Sequence, residues 1–150
     1  MIIDQLPNLT SVQETDEIPV ERGTKTYKAT VQKLNDLFPS ERLINSATLA
    51  NYGLSVSGTK YNFTLAQLFS AIPTYSRVVI PWIQSQNTNS YGTLAEELPS
   101  DTTDYGMLTL EKSASLGEFR FIRYSSSKSY HGSYSTVNSR GFNGWLANGT

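Results

Sequence analysis

The chain has 150 residues, 38% of them hydrophobic and 17% charged, with a formal net charge of −1 and no cysteine. That length fits one ordinary domain or two small ones, and a balance so near neutral offers no field for collecting phosphates, so no nucleic-acid partner is expected. The lack of cysteine excludes disulfide staples and thiolate metal sites, which makes a reducing cytoplasm the natural place of folding.

The opening Met1-Ile2-Ile3-Asp4-Gln5-Leu6-Pro7 has neither the basic region nor the apolar run of a signal peptide. A spanning helix needs about 20 apolar residues. The run Val78-Val79-Ile80-Pro81-Trp82-Ile83 falls far short of that, so no membrane partner is expected. Ser, Thr, Asn and Tyr must supply much of the surface, a balance common in extended β-rich surface proteins.

Next along the chain comes an internal echo. A strand, a Gly-Thr-Lys turn at Gly23-Thr24-Lys25 and an aromatic strand lead to Thr30, and the same order recurs at Gly58-Thr59-Lys60 and leads to Thr64. Glycine supplies the positive φ of a tight hairpin, and each threonine is placed to cap a helix. Thr64-Leu65-Ala66-Gln67 has capping-box spacing. Apolar residues then follow at helical spacing, Val31, Leu34, Leu37 and Phe38 in the first copy and Leu65, Leu68, Phe69 and Ile72 in the second, before Pro39 and Pro73. The reading is two hairpin-plus-helix repeats, at about 15–39 and 52–74, with their boundary near Ser40 to Ala50. Such short helices and lone hairpins are not self-sufficient. Their eight apolar residues either pack within one monomer or, as we expect, form the interface between copies of the chain around a symmetry axis.

Arg77 to Ile83 reads as a buried apolar strand, or as the seam between a 1–76 attachment and stalk region and a β-rich domain at 77–150. A polar loop from Gln84 to Tyr91 precedes Thr93-Leu94-Ala95-Glu96, which repeats the capping-box pattern and opens one or two helical turns ending before Pro99. Strands are expected at Met107–Glu111, Glu118–Tyr124 and Gly132–Val137, in an antiparallel meander. Phe119 and Phe121 share one strand face, and Arg120, Ile122 and Tyr124 the other. The fold class expected is α+β, mainly β, with two short repeats followed by a small antiparallel knob.

Two resemblances arise from these residues. Asp4-Gln5-Leu6-Pro7-Asn8-Leu9-Thr10 with Thr15-Asp16-Glu17-Ile18-Pro19-Val20-Glu21-Arg22-Gly23-Thr24-Lys25 resembles the N-terminal module of many phage fibre and other virion proteins. That likeness implies attachment to the particle, with Ile2, Ile3, Leu6, Leu9, Ile18 and Val20 as candidate attachment residues. From Tyr91 to Trp145 the chain resembles the pyocin knob type of domain, through Leu94, Leu98, Pro99, Tyr105-Gly106 and the closing Arg140-Gly141-Phe142-Asn143-Gly144-Trp145. It departs from that pattern in lacking a second tryptophan after Trp145. Together the likenesses imply a homotrimeric appendage of a virion, contacting other virion proteins at one end and presenting a β-rich end.

Catalytic constellations are sparse. His131 is the single histidine, so one chain cannot build a histidine-rich metal site, although a three-fold axis could gather three copies; the plainer reading is an exposed turn histidine. Ser125-Ser126-Ser127 lacks a nucleophile elbow, and neither a P-loop nor a dinucleotide fingerprint appears, so no cofactor is expected. Glu96-Glu97 and Asp101 with Asp104 are the carboxylate pairs that could cleave a glycan. Tyr124, Tyr130 and Tyr134, with His131, are candidate receptor contacts, a host-surface glycan being one ligand class, and packing is an equal reading for the tyrosines. Phe142 and Trp145 are read as core. The expected function is a non-enzymatic fibre or spike of the virion. Rival readings are a collar or decorating protein without receptor contact, and a glycan-cleaving spike.

Overall fold

The computed structural model describes residues 17–22, 25–30, 42–100 and 104–148. It divides into two units, Met1–Ser40 and Glu41–Thr150. The expected division at 76/77 is therefore corrected: the second repeat folds with the β-rich region.

In the first unit, β1 (Glu17–Arg22) and β2 (Lys25–Thr30) pair antiparallel, from Glu17 opposite Thr30 to Arg22 opposite Lys25. Lys28 bridges to Glu17 at 3.0 Å, an exposed pair worth about 0–1 kcal/mol. Ile18 and Val20 lie in β1 opposite Ala29 and Tyr27. Ile2, Ile3, Leu6 and Leu9 lie outside the described residues, as do Val31, Leu34, Leu37 and Phe38 of the first expected helix.

The second unit is built on a sheet of seven described strands. Its long strands β6 (Ser76–Gln84), β7 (Tyr105–Lys112), β8 (Leu116–Arg123) and β9 (Ser129–Ser135) form the expected antiparallel meander. The short strands β10 (Gly141–Phe142) and β11 (Leu146–Asn148) share the far side of β9. At the other edge β3 (Arg42–Asn45) runs parallel to β6. The unit division at Ser40/Glu41 falls at the start of the stretch expected to separate the repeats, and residues 42–50 within that stretch supply an edge strand and the start of a 3-10 helix, Ser46–Tyr52.

A parallel pair needs a crossover. Here the crossover is the 3-10 helix, a small hairpin of β4 (Val56–Ser57) and β5 (Lys60–Tyr61), and α1 (Leu65–Ala71). Gly58 turns the hairpin with φ 60°, the positive value expected of it. Thr64 caps α1 as its spacing predicts: its Oγ1 accepts from Gln67 N at 3.1 Å, while Gln67 Oε1 accepts from Thr64 N at 2.9 Å. Two distant groups fix the same helix. The Glu97 carboxylate accepts from Leu65 N, and Lys112 Nζ donates to Phe69 O at 2.6 Å and Ile72 O at 2.8 Å. A negative group at the start and a cation at the end of a helix both oppose its dipole, and seven residues would not hold a helix unaided. Burial draws the Lys112 ammonium below the usual lysine value.

All of this packs on one face of the sheet. Ile44, Val78, Ile80, Leu108, Leu110, Phe119 and Phe121 meet Leu49, Leu54, Phe63, Leu65, Leu68, Phe69 and Ile72, with Leu94 and Leu98 from beyond β6. Each such side chain contributes about 1.5–3 kcal/mol on burial. Leu65, Leu68, Phe69 and Ile72 are at most 2% exposed within a single chain. The expectation that they bury against sister copies is overturned, because the sheet of their own chain leaves them no surface to offer.

Beyond Gln84, α2 (Thr88–Tyr91) occupies part of the expected polar loop, and α3 (Thr93–Glu96) forms the short helix expected before Pro99. Thr93 does not cap it; Gly92 stands at that position, with φ 76°. Aromatic rings close the C-terminal side of the core. Tyr134 stacks on Phe69 at 4.3 Å, Phe119 meets Phe142 edge-on at 5.7 Å, and Phe142 meets Trp145 at 5.1 Å. Trp145 Nε1 donates to Glu97 O at 2.7 Å, so the residue that holds α1 also anchors the indole. Gly132 leaves the seat for Phe142, since a Cβ there would lie 2.4 Å from the ring.

Candidate functional site

The opposite face of the sheet carries no helix among the described residues, and its side chains follow from strand alternation. Three rows cross it. Leu43, Arg77, Glu111, Glu118 and Ser133 make the first, Asn45, Val79, Thr109, Arg120, His131 and Leu146 the second, and Met107, Ile122, Ser129 and Asn148 the third. Glu111 and Glu118 stand directly opposite each other, a repulsive placement, and each holds its own cation: Arg77 to Glu111 at 2.9 Å and Arg120 to Glu118 at 2.6 Å. The bond to Glu118 raises the Arg120 guanidinium above its ordinary value.

A groove of about 570 Å³ lies over β8, β9 and β11, lined by Glu118, Arg120, Ile122, Ser127, Ser129 and His131, with Tyr130 and Asn148. Its volume falls within the usual range of small-molecule sites, about 300–1,000 Å³. Asn148 Nδ2 and His131 Nδ1 are 2.8 Å apart.

Beside the third row the β6 strand bulges. Ile80 pairs with Leu108 but Ile83 pairs with Gly106, which leaves Pro81 and Trp82 against a single step of β7. A proline without N–H and a residue at positive φ are what a bulge in an interior strand accommodates. Trp82, in the segment expected to be a buried strand or a seam, is 66% exposed with φ 57°. A bulky residue there costs of order 1–2 kcal/mol. Its ring meets Tyr124 edge-on at 4.4 Å, and Tyr124 is 43% exposed. Tyr124 N donates to Tyr105 O, so it follows Ile122 on the same face. The adjoining loop is held by Asp104, which binds Arg123 at 2.6 Å and accepts from the Ser125 hydroxyl.

Of the four candidate receptor contacts, the structure thus brings His131 and Tyr124 to the open face. Tyr130 and Tyr134 are corrected. Tyr130 is only 4% exposed and belongs to the core, and Tyr134 packs between Phe69 and Phe119, because both share the inward side of β9 with Gly132. His131 sits within β9 opposite Arg120, not in a turn. Phe142 and Trp145 pack against the core, as expected. Among the carboxylates, Glu97 is bonded to Leu65 N and Asp104 to Arg123, while Asp101 lies outside the described residues. Trp82 was missed; the signal was Pro81, which an interior strand accepts only at a bulge. No cluster of metal-ligating side chains occurs among the described residues, and no described helix is long and apolar enough to cross a membrane. Comparison with protein-family models, curated proteins and solved structures finds no match.

Proposed function

We propose that the chain is a non-enzymatic structural protein of a phage particle, attached through its N-terminal unit and presenting the Glu41–Thr150 unit as a surface-binding head. One observation carries the binding part: a sheet face that carries no helix among the described residues and bears exposed Leu43, Trp82, Ile122, Tyr124 and Leu146. Large apolar groups held in water across one face mark an interaction surface. The virion setting rests on the two sequence likenesses. The homotrimer rests on them as well, since the second repeat's apolar side chains are buried within their own chain.

The test is sedimentation of fluorescently tagged full-length chain with intact bacterial cells. Retention that falls on Trp82→Ala and Tyr124→Ala, with unchanged melting of both variants, is the expected result. A second reading, a collar or decorating protein, draws on Leu43 and Leu146 at opposite edges of the face, which fit a broad protein contact. It predicts no retention on any cell, together with antibody labelling of the chain along the particle surface. Absence of the chain from purified particles would overturn both readings.

A further inference from the structure

We infer that the open face binds an uncharged oligosaccharide, seated on the Trp82–Tyr124 pair and running past Ile122 into the groove at His131 and Asn148, and that it rejects polyanions. This deepens the reading of the face as a binding surface and rests on it.

The first argument is charge. The two guanidinium groups of the central rows are each bonded to a carboxylate, at 2.6 and 2.9 Å. A phosphate, sulfate or sugar acid would have to break one of those pairs and then face the released carboxylate. Paired charges still offer dipoles and unfilled lone pairs to a hydroxyl, which gives and accepts hydrogen bonds without carrying charge. The same charges weigh against a dry protein interface, whose centre is depleted of Asp, Glu and Lys.

The second argument is the mixture of groups. Ser127 and Ser129 hydroxyls, the Asn148 amide and the His131 ring supply donors and acceptors to the groove, and Ile122 adds an apolar surface beside them. Sugar rings have that duality, with hydroxyls at the rim and C–H groups on the faces. Ring faces need flat apolar partners, and Trp82 with Tyr124 provides them two residues along the strand from Ile122. The bulge holds the indole in water at a positive φ, where its ring meets Tyr124. Such outliers cluster where a side chain is aimed at a ligand.

The experiment is binding of the full-length chain to an array of neutral and acidic bacterial-surface glycans. Retention on neutral glycans is expected, unchanged between low and high salt, with Trp82→Ala and Tyr124→Ala each weakening it about tenfold. Glu118→Gln leaves Arg120 without its carboxylate and is expected to add retention on acidic glycans that the parent ignores. Preference of the parent for acidic glycans, or retention on none, overturns the inference. If the chain then still sediments with cells, the binding-surface reading survives without the saccharide; if it does not, both fall.

Discussion

The two faces of the seven-stranded sheet are drawn from the same strands, yet they solve opposite problems. On β8, Phe119 and Phe121 are sealed in the core, while Arg120 and Ile122, which alternate with them, stay in water. On β9 the inward set is Tyr130, Gly132 and Tyr134 and the outward set Ser129, His131 and Ser133. The inner face is fixed by volume, since glycines leave room for its rings, Gly132 for Phe142, Gly106 for Phe121 and Gly117 for Phe69. The outer face is fixed by charge pairing and by one bulge. Stability and the proposed recognition are therefore separable in this molecule by the parity of a residue in its strand.

Substitutions can break that separation. The largest loss is expected from Phe119→Ala or Leu68→Ala, about 3–5 kcal/mol in denaturant unfolding, because both leave a cavity in a filled core. Gly132→Ala should cost about 1–3 kcal/mol by pushing its Cβ into the Phe142 ring, and a companion Phe142→Leu should recover part of it. Lys112→Met keeps the stem but removes the cation from two helix-end carbonyls, and a loss of about 1–2 kcal/mol is expected. On the outer face the effects shrink. Trp82→Gly relieves a positive φ at the expense of chain entropy and should leave stability within about 0.5 kcal/mol of the parent. Ile122→Ser should do no more than that. Losses on the outer face equal to those on the inner one would show the parity rule to be wrong.

Local rules carried much of the second unit. The Thr64 capping box, the Gly58 turn, the meander strands and the inward Phe119 and Phe121 were legible because each depends on neighbours within a few residues. The covering of α1 was not legible. Its apolar stripe states only that something must bury it, and the partner is a sheet reached through the β3 to β6 crossover. The tyrosines of β9 were left between binding and packing for a different reason: among serines they resemble a binding surface, whereas their alternation with Ser129, His131 and Ser133 points inward. The site itself was half visible. His131 and Tyr124 were named from composition, but the groove needs Asn148 of β11 brought beside β9, a pairing that no local pattern announces.

The parallel placement of β3 on β6 also bears on how the chain reaches this state. The meander joins strands that are neighbours in sequence, whereas β3 must wait for residues 46–75 to fold back before it finds its register against Ser76–Val79. Closing a long loop is entropically slower than closing a hairpin. During refolding the rim of β6 is therefore expected to be covered late, and copies meeting at that moment would join edge to edge. Yield on refolding should fall with concentration, and the lost material should be β-sheet aggregate rather than unfolded chain.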